Sequence, residues 1–337
     1  MLQEKRERPF DALARLDRRE GLCYRLLAVV ALFEVRRMGQ RQLAKLADST
    51  ELTADKTFSA IPGGLAASNA DSLRMPSRLG EAVADFAAGM ARSWIWTRLA
   101  YQDIKERYRG SVLGPFWVTL TNLIMICALG TIYSELFHMT PAKYVPYIAT
   151  GILTWQFISG MITEGCTTFT AAHDVISQVP MPFSVQAYRV VYRNLLVLAH
   201  NAVLIPFVLL IFSVPVDWRV LEVFPALLLL SLNGLWMTVL FGTVSTRFRD
   251  IPPIIANVVQ VLFFVTPIFW PLEAVASLQK VLALNPFFAW IDVVRAPLLG
   301  YAPQPTSWPL LLGCVVAGWA VSFLFFVRFR ERIAYWV

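Results

Sequence analysis

The chain has 337 residues, of which 57% are hydrophobic and 16% are charged, and its mean hydropathy is +0.55. Soluble domains typically carry about 25% charged residues, so this composition excludes an ordinary soluble protein and indicates that the bilayer is the solvent. The net charge of +7 does not predict a nucleic-acid partner, because the basic residues concentrate in particular loops, where they report membrane topology.

Residues 1–80 are rich in arginine, mixed in charge and without a spanning segment. The apolar stretch from Leu26 to Phe33 is short, and no convincing cleavage site follows it, although a signal-peptide core stays possible. The pattern favours a disordered cytoplasmic extension or an artefact of the assigned start, with Met75 as the true start. We place no function in this segment.

Residues 92–108 have the pattern of an amphipathic helix. One stripe carries Trp94, Tyr101, Ile104 and Tyr108. The opposite face carries Arg98, Gln102, Lys105 and Glu106. A helix of this kind directly before a spanning segment is expected in the membrane interface, with its aromatic stripe toward the lipid. An ordinary surface helix fits the periodicity equally well.

Six apolar runs follow, each near the roughly 20 residues that a helix needs to cross a hydrocarbon core about 30 Å thick. They are residues 115–137, 144–168, 187–213, 222–246, 254–271 and 308–328. Each run is continuously apolar and does not alternate, which indicates helices and not the strands of a barrel. The sequence therefore predicts an all-α membrane protein with six transmembrane helices.

Basic residues set the expected orientation. One set of loops and span ends carries most of them: Arg98, Lys105, Arg107, Arg109, Arg189, Arg193, Arg247, Arg249, Arg328, Arg330 and Arg332. The other set holds only Lys143, Arg219, Lys280 and Arg295. Because positive charge accumulates on the cytoplasmic side, both termini are predicted to be cytoplasmic.

Two connections between the predicted spans are unusual. Residues 169–186 contain a possible short helix from Thr170 to Gln178, which Pro180 and Pro182 would end. This helix would lie outside the bilayer on the cytoplasmic side. Residues 270–308 are moderately apolar and interrupted by prolines, which predicts short re-entrant or interfacial helices on the outer side.

No residue pattern predicts catalysis. The chain has no HExxH or GxSxG motif and no Gly-Lys pair for a phosphate-binding loop. Its three histidines form no metal-ligand cluster, and its four cysteines include no CxxC pair. We predict no catalytic residue, metal or cofactor in this chain, so any ATP that powers it is bound by another chain.

Polar and aromatic residues within the spans have two possible roles. The polar residues either hydrogen-bond between helices or line a pathway, and the aromatic ones either face lipid or line a conduit on whose walls sugar rings stack. The candidates for conduit lining are Tyr133, Trp155, Phe157, His200, Asn201, Trp236, Phe264 and Trp270.

The stretch from Arg107 to Trp117, RYRGSVLGPFW, resembles the RYRxSxLGxxW signature that opens the first span in permeases of ABC-2 type polysaccharide exporters, especially those for O-antigen and teichoic acid. Further matches follow in order at residues 151–155, 247–251, 266–270, 285–286 and 330–336. The resemblance covers about residues 90–337, which we take as the ABC-2 transmembrane domain.

The resemblance implies a homodimer in the bacterial inner membrane that exports a lipid-linked polysaccharide with two separate ATPase subunits, which bind ATP and Mg²⁺. It implies a coupling helix for the ATPase at Thr170, His173, Asp174, Val175 and Ile176, although a plain loop is the alternative there. It also implies a cytoplasmic gate, with contact to the lipid pyrophosphate, at Arg107, Tyr108, Arg109, Gly110, Ser111, Leu113 and Gly114. Anchoring of these arginines to ordinary anionic headgroups is equally compatible.

Two other functions stay open from the sequence. An ABC-2 permease for a small hydrophobic drug or lipid would have a compact pocket in place of a continuous aromatic path. A membrane-embedded enzyme that processes glycans would turn over a lipid-linked sugar without an ATPase partner.

Overall fold

The computed structural model describes residues 78–111, 114, 116–272 and 279–337, and within these ranges every regular element is a helix. The predicted extension therefore lies outside the described residues except for its last three positions. The helices are α1 (Arg78–Ala91), α2 (Ser93–Arg107), α3 (Phe116–Leu136), α4 (Pro141–Cys166), α5 (His173–Gln178), α6 (Ser184–Asn201), α7 (Leu204–Ile211), the 3-10 helix η1 (Trp218–Glu222), α8 (Val223–Arg247), α9 (Ile251–Val265), α10 (Gln279–Leu282), α11 (Pro286–Leu298) and α12 (Ser307–Trp336).

Five segments within the described ranges are long and apolar enough to cross a membrane. They are α3, α4, α6 with α7, η1 with α8, and α12. The structure thus confirms an all-helical, multi-pass chain and five of the six predicted spans. The third of these is a broken helix, since Pro206 has no backbone N–H and its ring would clash with the carbonyl of Ala202 in a continuous helix.

The fifth predicted span, residues 254–271, is not confirmed. Helix α9 has 15 residues, which at 1.5 Å per residue gives about 22 Å, less than the roughly 30 Å of a hydrocarbon core. The helix ends because Thr266 precedes Pro267, and a residue before proline is disfavoured in the helical region; Thr266 is indeed extended. The apolar run continues as an irregular segment to Trp270.

Helix α4 lies at the centre of the bundle. It is largely buried and contacts α3, α6, α7, α8, α9 and α11, whereas α3 and α12 keep most of their surface exposed. Helices that are apolar on all sides suit this arrangement, since exposed faces meet lipid and buried faces meet protein. An amide pair joins α3 to α4, in which Asn122 and Gln156 each donate to the other's side-chain oxygen, at 3.1 and 2.6 Å.

Helix α11 is buried against α4, α8 and α12. It starts at Pro286, which Asn285 caps by accepting a hydrogen bond from the backbone N–H of Phe287 at 2.9 Å. With 13 residues it is too short to span, as predicted for the connection before the last span. That α11 re-enters the membrane from the outer side stays a prediction.

A buried arginine on α11 holds the irregular segment that follows α9. Arg295 is 1% exposed, and its guanidinium donates to the carbonyls of Pro267 and Ile268, at 3.0 and 2.8 Å. It lies 3.9 Å from the centre of the Tyr147 ring. Gly151 makes room for it, because a Cβ there would lie 2.2 Å from Nη2 of Arg295. Gly151 belongs to one of the stretches that carry the family resemblance, and this contact explains its glycine.

Candidate functional site

The predicted coupling segment forms α5, a six-residue helix with no buried residue. Thr170, His173 and Asp174 are exposed, while Val175 and Ile176 are half-buried, and Ile176 packs against the core of the bundle. The side chains of His173 and Asp174 are therefore available to a partner, and Ile176 holds α5 against its own chain.

The connection that carries α5 is anchored at both ends. Before α5, the fully buried ring of Phe169 meets the ring of Phe183 edge to face, 6.2 Å between centroids. After α5, the carboxylate of Asp85 accepts hydrogen bonds from the backbone N–H groups of Phe183 and Ser184, at 3.1 and 2.9 Å. Because a helix N-terminus attracts negative charge, Asp85 stabilises the start of α6.

The end of the bundle that carries α5 also carries the C-terminal part of α12. Arg330 of α12 donates from Nε to Asp85, at 3.1 Å, and from Nη1 to Glu81, at 3.1 Å. Asp85 is the same carboxylate that binds the start of α6. A single residue of α1 thus joins the connection after α5 to the last helix, so α5 and the C-terminal region lie at one end of the bundle.

The arginine-rich signature forms the turn between α2 and α3. Gly110 and Gly114 have φ angles of +83° and +54°. Residues with a Cβ rarely adopt such angles, so the turn requires glycine at both positions. The hydroxyl oxygen of Ser111 accepts a hydrogen bond from the backbone N–H of Gly114, at 3.1 Å. Leu113 of the predicted gate lies outside the described residues. A Cβ at either glycine would meet no atom of the described residues within 4 Å.

Five charged side chains join α2 to α4 and α6, and we call them the charge cluster: Asp103, Arg107, Glu164, Arg189 and Arg193. Arg189 binds Asp103 through both carboxylate oxygens, and Arg193 binds the same carboxylate at 2.5 Å. Glu164 of α4 binds Arg107 at 2.7 Å and Arg193 at 2.8 Å. Because the carboxylates share Arg193, the three helices form one connected ionic network.

The cluster shifts the pKa values of its members on α2. Burial raises the pKa of Asp103, but the hydrogen bonds and positive charges of Arg189 and Arg193 outweigh burial and hold the pKa below its usual value. The hydrogen bond to Glu164 raises the pKa of Arg107 against the opposing effect of burial. Both groups are therefore more firmly charged than in water, as paired ions should be.

The eight candidate conduit residues do not form one set. Tyr133, Trp155 and Phe264 are joined through the rings of Phe263 and Phe269, whereas His200 and Asn201 line a cavity to which none of the other six contributes. Trp155 and Phe157 are buried inside the bundle, where Trp155 contacts the rings of Phe263 and Phe287. Tyr133 stacks on Phe137. The remaining five are Asn201, buried; His200, Trp236 and Trp270, half-buried; and Phe264, exposed. Phe264 is the one exposed residue of the eight, and a role in lining a conduit stays a prediction for all of them.

His200 and Asn201 line a cavity of about 100 Å³ between α2, α3 and α6. Nε2 of His200 is buried there and has no hydrogen-bond partner within the described part of the chain. Asn201 accepts a hydrogen bond from the hydroxyl of Thr119, at 3.0 Å. The other lining residues are apolar apart from Tyr108.

The sequence analysis does not predict the charge cluster. Glu164 lies near the end of the second span and Asp103 on the amphipathic helix, but the arginines that bind them enter that analysis only as indicators of topology, apart from the expected headgroup contact of Arg107. An acid near a span end, opposite two arginines four residues apart in the next span, is the signal that points to such a network. Of the described residues, no group of three or more His, Cys, Asp or Glu is placed to hold a metal ion.

Comparison with known proteins gives consistent matches. The sequence profile of the ABC-2 type transporter family matches residues 96–299. The O-antigen export system permease protein RfbA of Myxococcus xanthus is 27% identical over 246 residues, which cover 70% of this chain and 92% of the relative. Two proteins of the same name from Klebsiella pneumoniae are 21% and 22% identical over 209 and 221 residues, each covering 59% of this chain and 80% of the relative.

Proposed function

The chain belongs to the ABC-2 type transporter family, and on that premise we propose that it is the permease subunit of an ATP-driven exporter of a lipid-linked, O-antigen-like polysaccharide. Two copies would form a homodimer in the bacterial inner membrane, with both chain ends in the cytoplasm. Two separate ATPase subunits would bind ATP and Mg²⁺, and this chain would supply no catalytic residue. The names of the relatives from M. xanthus and K. pneumoniae support the choice of polysaccharide.

The observation that carries the proposal is the position of α5. It is exposed, lies between two bundle helices, and shares one end of the bundle with Arg330 and the charge cluster. Arginine accumulates at this end, which supports a cytoplasmic location. A short exposed helix that is anchored at both of its ends suits the transfer of rigid-body motion from an ATPase to the spans.

The surface of α9 supports a homodimer. Only Val259 of this helix is buried, and the side chains of Asn257 and Gln260 are exposed without a hydrogen-bond partner in the described ranges. Amides that face hydrocarbon are unfavourable, and such groups usually face another helix or water. A second protomer against α9, or a hydrated path between two protomers, would satisfy both amides.

Deletion of the gene tests the proposed function. We expect the polysaccharide to accumulate inside the cell and to disappear from the surface, because the permease is the only route outward in this account. Surface polymer is measured with a polymer-specific antibody on intact cells and internal polymer on lysed cells.

Three outcomes would contradict this proposal. Normal surface polymer would refute it, and raised sensitivity to a hydrophobic drug with normal polymer would favour the small-molecule exporter. Complementation with the wild-type chain controls for polar effects on neighbouring genes. Release of sugar from the lipid carrier by the purified chain alone would instead favour the glycan-processing enzyme.

A further inference from the structure

We propose that Glu164 competes with the substrate headgroup for Arg107, so that a lipid pyrophosphate must displace an internal carboxylate in order to bind. The inference rests on the proposed function, because it deepens the pyrophosphate contact expected at Arg107 and Arg109. It assigns to Glu164, which was absent from the predicted site, the role of a positioning residue that sets headgroup affinity.

The two oxygens of Glu164 are bonded unequally. Oε1 accepts one hydrogen bond, from Nη2 of Arg107 at 2.7 Å. Oε2 accepts three: from Nε and Nη2 of Arg193, at 3.1 and 2.8 Å, and from Nδ2 of Asn194, at 2.8 Å. When Arg107 leaves, the carboxylate keeps the full set of bonds on Oε2. Release of Arg107 therefore does not leave a buried charge unpaired, which is the costly outcome for a partly buried ion pair.

Exposure decides which arginine an external anion reaches. The side chain of Arg107 is 48% exposed, whereas that of Arg193 is 15% exposed. Arg109, two positions along the same turn, is exposed and forms no ion pair with any described residue. A pyrophosphate has oxygens enough for both guanidinium groups, and paired two-point contacts of this kind are strong and specific.

The exchange would change how α2 is held. In the bound form, Arg107 would pair with the ligand, and the direct ion pair between α2 and α4 would be absent. Asp103 would still attach α2 to α6 through Arg189 and Arg193. Headgroup binding would therefore release the last turn of α2, next to the predicted gate, from α4, while the rest of the helix stays in place.

Binding of farnesyl pyrophosphate to the full chain in phosphatidylcholine nanodiscs tests the competition. We expect Arg107→Gln to weaken binding by about tenfold, as loss of a charge-assisted contact should. Glu164→Gln should strengthen binding, because the competitor is removed. Arg98→Gln is the matched control, since Arg98 is an exposed arginine of the same helix without an ion pair in the described ranges, and its affinity should equal that of the wild type.

Three results would overturn the proposal. The first is that Glu164→Gln binds farnesyl pyrophosphate no more tightly than the wild type, and the second is that Arg98→Gln loses as much affinity as Arg107→Gln. The third is that phosphatidylglycerol displaces the probe with the same affinity as the probe itself, which would assign the site to ordinary headgroups.

If Glu164→Gln does not fold, hydrogen exchange of the wild-type chain decides the question. Amides of residues 103–107 should exchange faster with the probe than without it, and equal or slower exchange contradicts the competition. Failure of the competition is therefore distinguishable from failure of the proposed function, which the gene deletion tests through surface polymer.

Discussion

Arg295→Met is expected to destabilise the chain by about 2 kcal/mol or more, because the carbonyls of Pro267 and Ile268 stay buried and lose their donors, at about 1–3 kcal/mol each. Removal of a buried cation also removes its desolvation cost, which works in the opposite direction. The loss of hydrogen bonds to the two carbonyls is expected to outweigh this gain, so that the free energy of unfolding falls, since methionine has no hydrogen to donate to them. Thermal unfolding of the detergent-solubilised chain measures the effect.

Gly151→Ala should have an effect of similar size by a steric route. Its Cβ would lie 2.2 Å from Nη2 of Arg295, and the arginine is fully enclosed, so the guanidinium must give up its position. Two matched variants control for the substitutions themselves. Gly313→Ala adds a Cβ where nothing lies within 4 Å, and Arg219→Met removes a partly exposed arginine. Unfolding of Arg295→Met at the wild-type temperature would show that Arg295 does not hold the segment after α9.

Asp174→Arg is expected to lower transport-stimulated ATP hydrolysis by at least about tenfold, equivalent to about 1.4 kcal/mol, while the chain still inserts into the membrane. Asp174 is exposed on α5 and forms no ion pair with any described residue. Charge reversal at this position changes the proposed docking surface without changing the bundle. If the ATPase presents a positive charge to Asp174, the new arginine would face a like charge, which strongly disfavours docking. ATP hydrolysis by the reconstituted permease and ATPase, with the polymer present, is the measurement.

The control for Asp174→Arg is Glu135→Arg, which reverses an exposed carboxylate near the end of α3, at the opposite end of that helix from the arginine-rich turn. It should leave hydrolysis unchanged. Ile176 is a poorer test position, because its side chain packs against the core and a polar replacement there would also affect stability. Unchanged turnover in Asp174→Arg would remove α5 from the coupling role.

The spans and α2 were predictable because their signals are local. Continuous apolarity identifies a helix in lipid, and the periodicity of residues 92–108 predicted α2, which the structure places at Ser93–Arg107. The fifth predicted span, which is not confirmed, shows the limit of that signal. Hydropathy does not separate a helix from an irregular apolar segment, and Thr266-Pro267 ends α9 inside the run.

The contacts at the candidate site were not predictable from sequence, because they join positions far apart in the chain. Asp85 binds Ser184 and Arg330, and Asp103 binds Arg189. The surroundings of the candidate conduit residues were not predictable for another reason. Lipid and protein interior are equally apolar, so an aromatic residue such as Trp155 has the same pattern whether it faces lipid, a path or the core. Its burial against Phe263 and Phe287 is information that only packing supplies.

The central claim is that a membrane bundle receives its driving force from a separate ATPase through α5. A photoreactive benzoyl-phenylalanine in place of Asp174, in cells that export polymer, tests it most directly. Irradiation should yield a covalent adduct between this chain and an ABC ATPase subunit, and the same probe in place of Glu135 should yield none. Normal surface polymer with no ATPase adduct from position 174, or an adduct from position 135 alone, would contradict the account.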